Sequence, residues 1–160
     1  KINVNCFDVD GVISVNISVP ESQHKVNIDI ILQSVGRDGT KDITFTVTED
    51  LTAKTVGSGT LDVLATPIMI AKMEEAAWKA VADHLDEGAG SVGILMNAQH
   101  LSATPVGLEV RAEAEVTAVE GKVITFSVKA FDEAGEIGHG THKRVIINSQ
   151  KFLERTYSKL

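Results

Sequence analysis

The chain has 160 residues, with 15 Lys and Arg against 22 Asp and Glu, a formal net charge of −7 and a pI near 5.2. That balance argues against a nucleic-acid partner, and one cysteine offers neither a disulfide framework nor paired thiols for a metal. An apolar content of 43% without any run of bilayer length points to a single soluble domain, and the absence of a visible signal peptide points to the cytoplasm.

Residues 1–19 (KINVNCFDVDGVISVNISV) alternate apolar and polar side chains around Asp10-Gly11, a hairpin turn signal, and residues 26–32 read as a further strand. FDVDGV (7–12) also resembles the nucleophile loop of haloacid-dehalogenase phosphatases, in which Asp8 would attack phosphate and Asp10 would act as the acid. Those enzymes need a long α/β domain with a later lysine and an acidic magnesium pair, and the rest of the chain follows a different pattern. A chain beginning at Lys1 without methionine reads as processed or truncated.

Ile43, Phe45 and Val47 alternate as the next strand, ahead of Gly57-Ser58-Gly59. TPIMIAKMEEAAWKAVADHL (66–85) then reads as a long helix, with the Thr66 hydroxyl as its cap and Pro67 in the first helical position. At about 100° per residue, Lys72, Glu75, Lys79 and Asp83 gather on a wet side, Glu75 and Lys79 at favourable i, i+4 spacing. Glu74 falls on the opposite side, flanked by Ile70, Ala77, Trp78 and Val81, where an ionised carboxylate is expensive unless hydrogen-bonded. It is either a snorkelling, water-bridged side chain or a functional carboxylate. His84, at the helix end, reads as a cap.

Residues 91–100 form a largely apolar strand. Leu108, Val110, Ala112, Ala114 and Val116 alternate with Glu109, Arg111, Glu113, Glu115 and Thr117, the period of a half-buried strand. Glu120-Gly121 turns the chain into Ile124, Phe126, Val128 and Ala130, and Glu133-Ala134-Gly135 turns it into a last strand over 137–148. The class is α+β: an antiparallel sheet wrapped around one long central helix. His139 and His142 have opposite parity in the last strand, so one of them faces inward. No three histidines and acids show a zinc-ligand spacing, so neither metal nor cofactor is expected.

VGSG (56–59), LATPIMIAKMEEAA (64–77), SVG (91–93), QHLSATPVG (99–107) and GHGTHKR (138–144) resemble the hotdog-fold thioesterases of the fluoroacetyl-CoA thioesterase-like family. The resemblance spans roughly residues 42–152. It implies a hotdog domain over 42–160, preceded by an N-terminal extension over 1–41. It also implies a catalytic group of a threonine before the helix, a glutamate on its first turns and a histidine ending the next strand, here Thr66, Glu74 and His100. Gly93 would supply a backbone amide near the thioester. Arg144, in the GTH-x-R segment that the family keeps, is the other candidate for substrate binding, with a role in tying strands or subunits as the favoured alternative.

Thioester hydrolysis needs a nucleophile or activated water, a base, and donors for the oxygen that becomes negative. Glu74 could attack the carbonyl or deprotonate water, His100 could move protons near neutral pH, and Thr66 could be a nucleophile or hold Glu74 or the substrate by a hydrogen bond. Backbone amides around Met69 and Ile70, at the helix start, or that of Gly93, could polarise the carbonyl. The family's bulky phenylalanine gate is replaced by Gly57-Ser58-Gly59-Thr60-Leu61, which implies a general short or medium acyl-CoA substrate. Arg111, Lys122, Lys129, Lys143 and Arg144 are candidates to meet the anionic CoA. The fold implies a homodimer with no nucleic-acid or membrane partner, and Glu74 facing His100 of the partner subunit. The alternatives are a hotdog enoyl-CoA hydratase and a non-catalytic acyl-CoA-binding module.

Overall fold

The computed structural model describes residues 3–9, 12–18 and 40–160. Strands β1 (Asn3–Val9) and β2 (Val12–Ser18) pair antiparallel, with Val9 opposite Val12, as expected from the alternation around Asp10-Gly11. Asp8 stands opposite Ile13 in this pair; Asp10 and Gly11, on which the phosphatase-like reading of FDVDGV also depends, lie outside the described residues. The strand expected over 26–32 lies outside the described residues.

The larger body contains β3 (Thr40–Thr46), a short helix α1 (Ala53–Val56), the long helix α2 (Thr66–Ala82), β4 (Ala89–His100), β5 (Glu109–Glu120), β6 (Val123–Asp132), β7 (Gly135–Asn148) and a last helix α3 (Ser149–Tyr157). Five strands form one antiparallel sheet in the order β3-β5-β6-β7-β4, so β4 is an edge strand beside β7 although β5 follows it in the chain. Helix α2 packs against all five strands. No helix among the described residues is long and apolar enough to cross a membrane.

The alternation in the sequence sets one face of this sheet against the helix. Val110, Ala112, Ala114 and Val116 of β5 and Ile124, Phe126, Val128 and Ala130 of β6 are all buried, together with Met69, Met73, Ala76, Ala77 and Val81 of α2. Each large apolar side chain so removed from water contributes about 1.5–3 kcal/mol. The alanines keep both surfaces low, leaving room for Met69, Met73 and Phe126. Lys72 and Lys79 lie 2.8 and 2.6 Å from Glu75, the pairing expected from their spacing, but this side of the helix is half-buried, Glu75 keeping 28% of its side-chain surface.

Two local expectations change. The N-cap of α2 is Ala65, with no side-chain cap; Thr66 is the first helical residue and its hydroxyl is engaged elsewhere. The helix also ends at Ala82 with Asp83 as its cap, leaving His84 just beyond, its backbone N–H on the Val81 carbonyl. Helix α3 was not anticipated; Asn148 starts it by accepting the Lys151 N–H.

Candidate active site

Thr66 and His100 meet at the start of α2. The Thr66 Oγ1 lies 2.8 Å from His100 Nδ1, although 34 residues separate them. His100 is the last residue of β4, where it stands opposite Gly138 of β7. A Cβ on Gly138 would fall 2.6 Å from the Gln99 carbonyl oxygen and 2.8 Å from the Met69 side chain, and one on Gly140 would press still harder on the Asn97 carbonyl. These two glycines let the end of β4 sit close against β7, and so bring His100 to the helix start. The other ring nitrogen, Nε2, is shielded from solvent and has no hydrogen-bond partner among the described residues. A buried polar atom without a partner is costly.

Glu74 stands two turns further along α2. Eight residues at 1.5 Å each put it about 12 Å along the axis from Thr66, so the carboxylate does not join Thr66 and His100 within one chain. It rests on β4 at Gly93, where a Cβ would come within 2.8 Å of Glu74 Oε1, 3.1 Å of His142 Cε1 and 3.8 Å of Arg144 Nη1. Only a residue without a side chain leaves space for that carboxylate. Its surroundings are also less apolar than the helix pattern implied: Glu74 is 41% exposed and Trp78 is exposed. The stripe Ile70, Glu74, Trp78 overlooks β4, an edge strand with nothing on its outer side in a single chain, so the helix wheel overstated its burial.

Beneath Glu74 lies a polar cluster that the sequence reading assigned mainly to structure. His142 is the inward-facing histidine, wholly buried, whereas His139 is exposed and 2.5 Å from Glu136. His142 Nδ1 is 2.8 Å from the Leu95 carbonyl, its Nε2 is 3.2 Å from Arg144 Nη1, and Nε2 is 3.8 Å from Glu74 Oε1. Arg144, 8% exposed, also donates from Nε to Ser91 Oγ at 2.9 Å and from Nη2 to the Ser91 carbonyl at 2.7 Å. Burial pushes the His142 imidazole below its ordinary value; the Leu95 carbonyl opposes this, the Arg144 cation adds to it, and Glu74 opposes it. Burial likewise lowers the Arg144 guanidinium, against the pull of Glu74. Arg144 therefore ties β7 to β4, the role favoured from its sequence.

The expected basic cluster is divided. Arg144 is buried on Ser91 and His142, while Arg111 pairs with Glu113 and lies over the Phe131 ring. Of the oxyanion donors expected at the helix start, Met69 donates to the Ala65 carbonyl, as does Ile68, and Ile70 is the fifth residue of the helix, past the first four amides that lack intrahelical partners. No group of three His, Cys, Asp or Glu residues that could hold a metal occurs among the described residues.

A long helix packed against a five-stranded antiparallel sheet is the arrangement of hotdog-fold thioesterases. The family model described as fluoroacetyl-CoA-specific thioesterase, FlK, matches residues 47–150. The fluoroacetyl-CoA thioesterase of Streptantibioticus cattleyicolor is 41% identical over 98 residues, covering 61% of this chain and 70% of that protein. A solved structure of the fluoroacetyl-CoA thioesterase FlK superposes with a TM-score of 0.72 at 34% identity, covering 76% of this chain and 94% of the other. A hypothetical protein of Thermus thermophilus described as a thioesterase superfamily member gives 0.69 at 30% identity, covering 75% and 88%. The chain belongs to the fluoroacetyl-CoA-specific thioesterase family.

Proposed function

We propose that this chain hydrolyses a short or medium acyl-CoA thioester to the free acid and CoA, at a site shared between two subunits. Thr66 and His100 act as nucleophile and base, and Glu74 of the partner subunit orients the base. The observation that carries this reading is the 2.8 Å Thr66–His100 contact; Nε2 is covered within one chain, so the partner's carboxylate reaches it only as that cover shifts on pairing. A nucleophile and base within hydrogen-bond reach, with the base held by a third group, is the logic of activated hydroxyls. A carboxylate on Nε2 would keep the proton there and leave Nδ1 free to accept the Thr66 proton.

The Thr66 oxygen attacks the thioester carbonyl as Nδ1 takes its proton. The carbon–sulfur bond breaks and the imidazolium returns the proton to the CoA thiolate. Water, deprotonated by the same nitrogen, then cleaves the acyl-threonine ester and restores the hydroxyl. Because the amides of Ile68 and Met69 are occupied, the backbone N–H of the partner subunit's Gly93, which accompanies Glu74, is the better donor for the developing oxyanion.

The pairing of subunits rests on β4. Its outer edge is unpaired in the sheet and carries exposed Ile94 and Leu95, an arrangement that favours association with another strand. The absence of a bulky side chain at Gly57, Ser58 and Gly59 favours a general acyl group over discrimination for fluoroacetyl, and the single cysteine suits the cytoplasm.

The test is thiol release from acetyl- through decanoyl-CoA and fluoroacetyl-CoA, for wild type beside His100→Ala and Thr66→Ala. Wild type should turn over some member of the panel, and each substitution should lower the rate by about 10²-fold or more. Equal rates for all three would discard the assignment. Ile94→Lys, which places charge on the β4 edge, should give monomers in sedimentation with turnover abolished; an active monomer would overturn the shared site.

A further inference from the structure

We infer that His142 is a positioning residue for Glu74: a buried imidazole, held in one tautomer by the backbone of β4, that aims the Arg144 guanidinium toward the Glu74 carboxylate. This rests on the reading of Glu74 as a functional carboxylate and extends it to the groups behind it.

The two short contacts of the ring set its tautomer, the 3.8 Å from Nε2 to Glu74 Oε1 being too long for a hydrogen bond. The Leu95 oxygen is an acceptor alone, so His142 Nδ1, 2.8 Å away, must carry a proton and donate it. Arg144 Nη1 has only protons to offer, so His142 Nε2, 3.2 Å away, must be the bare acceptor. A doubly protonated ring would set two donors and two positive charges against each other at that distance. The geometry therefore requires neutral His142, and burial shifts its pKa in that direction. Glu74 of α2, Arg144 on its own strand, the Leu95 carbonyl of β4 and the Phe126 ring of β6, 6.0 Å between centroids, are the groups facing it.

The place where His142 grips β4 matters. The register between β4 and β7 slips between Gly93 and Leu95, so the Leu95 carbonyl is the first paired group after a bulge. One nitrogen of His142 thus fastens the bulge on which Glu74 rests, and the other fastens the guanidinium beside it. Ser91, just before the bulge, fixes the same guanidinium through its hydroxyl and its carbonyl. Burying an imidazole and a guanidinium together is expensive compared with an apolar pair of the same volume. That cost is explained if the cluster holds a carboxylate in a set position, since small misplacements of a reacting group are expensive in rate.

Three variants and one spectrum test this. His142→Gln places an amide oxygen near the position of Nε2, keeping an acceptor for Arg144. His142→Asn keeps a donor near Nδ1 but removes that acceptor, and His142→Phe removes both. With saturating acyl-CoA, Gln should hold kcat within a few-fold of wild type. Asn and Phe should lower kcat by about 10- to 100-fold with KM little changed. Nitrogen-15 spectra of the wild-type imidazoles should show His142 protonated on Nδ1 alone at neutral pH. A proton on Nε2 would overturn the inference, as would a Phe variant with full kcat, or losses in all three that merely follow their melting temperatures. A wild type without thioesterase activity would overturn the parent reading and this role with it. The other failures leave wild-type turnover intact and remove only the role of His142.

Discussion

Glu74 and Glu75 are adjacent on one helix, yet one turn of about 100° sends them to different worlds. Glu75 lies 2.8 Å from Lys72 and 2.6 Å from Lys79, and the hydrogen bonds from these two lysines hold its carboxylate below the ordinary range against the effect of burial. Glu74 has no lysine. Its nearest polar neighbours, His142 and Arg144, come from β7, and its space exists because Gly93 has no side chain. Glu75 is satisfied by neighbours three residues back and four residues on along its own helix. On the sheet side, a carboxylate's neighbours come from distant strands that the sheet register brings together. Glu75 is paired within its own helix, whereas Glu74, 3.8 Å from His142 and without a side-chain hydrogen bond among the described residues, stands beside groups from a distant strand.

Substitution at each position separates the two roles. Glu74→Gln should lower acyl-CoA turnover by about 10²-fold or more while leaving the melting temperature near wild type. An unchanged rate would place Glu74 in the same category as Glu75. Gly93→Ala comes next: the added methyl meets the end of the flexible Glu74 side chain, so the fold should survive while the carboxylate is displaced, with kcat lower by about tenfold. Full activity in this variant would show that the position of Glu74 on β4 is unimportant. Glu75→Gln should leave turnover unchanged and cost less than about 1 kcal/mol in chemical denaturation at neutral pH, as pairs near the surface do. The folded-state pKa of Glu75 is lowered, so its contribution is present above the unfolded value of 4.5 and disappears as pH falls through the folded value. The difference between Glu75→Gln and wild type should close in acid.

The sheet was readable because alternation reports burial directly: the inward residues of β5 and β6 are those with the expected parity. The Lys72, Glu75 and Lys79 pairing of α2 was equally legible, since such pairs are local, but the half-burial of that side was not. Thr66 was misread as a cap for the opposite reason. Its propensity favours capping, but a tertiary contact with His100 outweighs it, and Ala65 takes the cap position. The burial of Glu74 was overstated because a helical wheel does not show which strand lies at the sheet edge. The parity of His142 was visible, but its bonds to Leu95 and Arg144 depend on a bulge that no sequence period marks. Helix α3 follows β7 without a break, and its Asn148 cap is the one signal that could have found it.

The order β3-β5-β6-β7-β4 has a consequence in time. Strands β5, β6 and β7 are joined by tight turns, and such hairpins form within microseconds. Strand β4 is made before all three, yet its partner is the last of them, with Ala89 opposite Asn148. A pairing that closes across so much chain is slow and must wait for its partner. On the ribosome, the strand carrying His100 remains without its neighbour until β7 has emerged, so Thr66 and His100 meet only when synthesis of the sheet is complete. If the proposed pair carries turnover, activity reports a completed sheet, and a product that lost β7 should be silent rather than partly active.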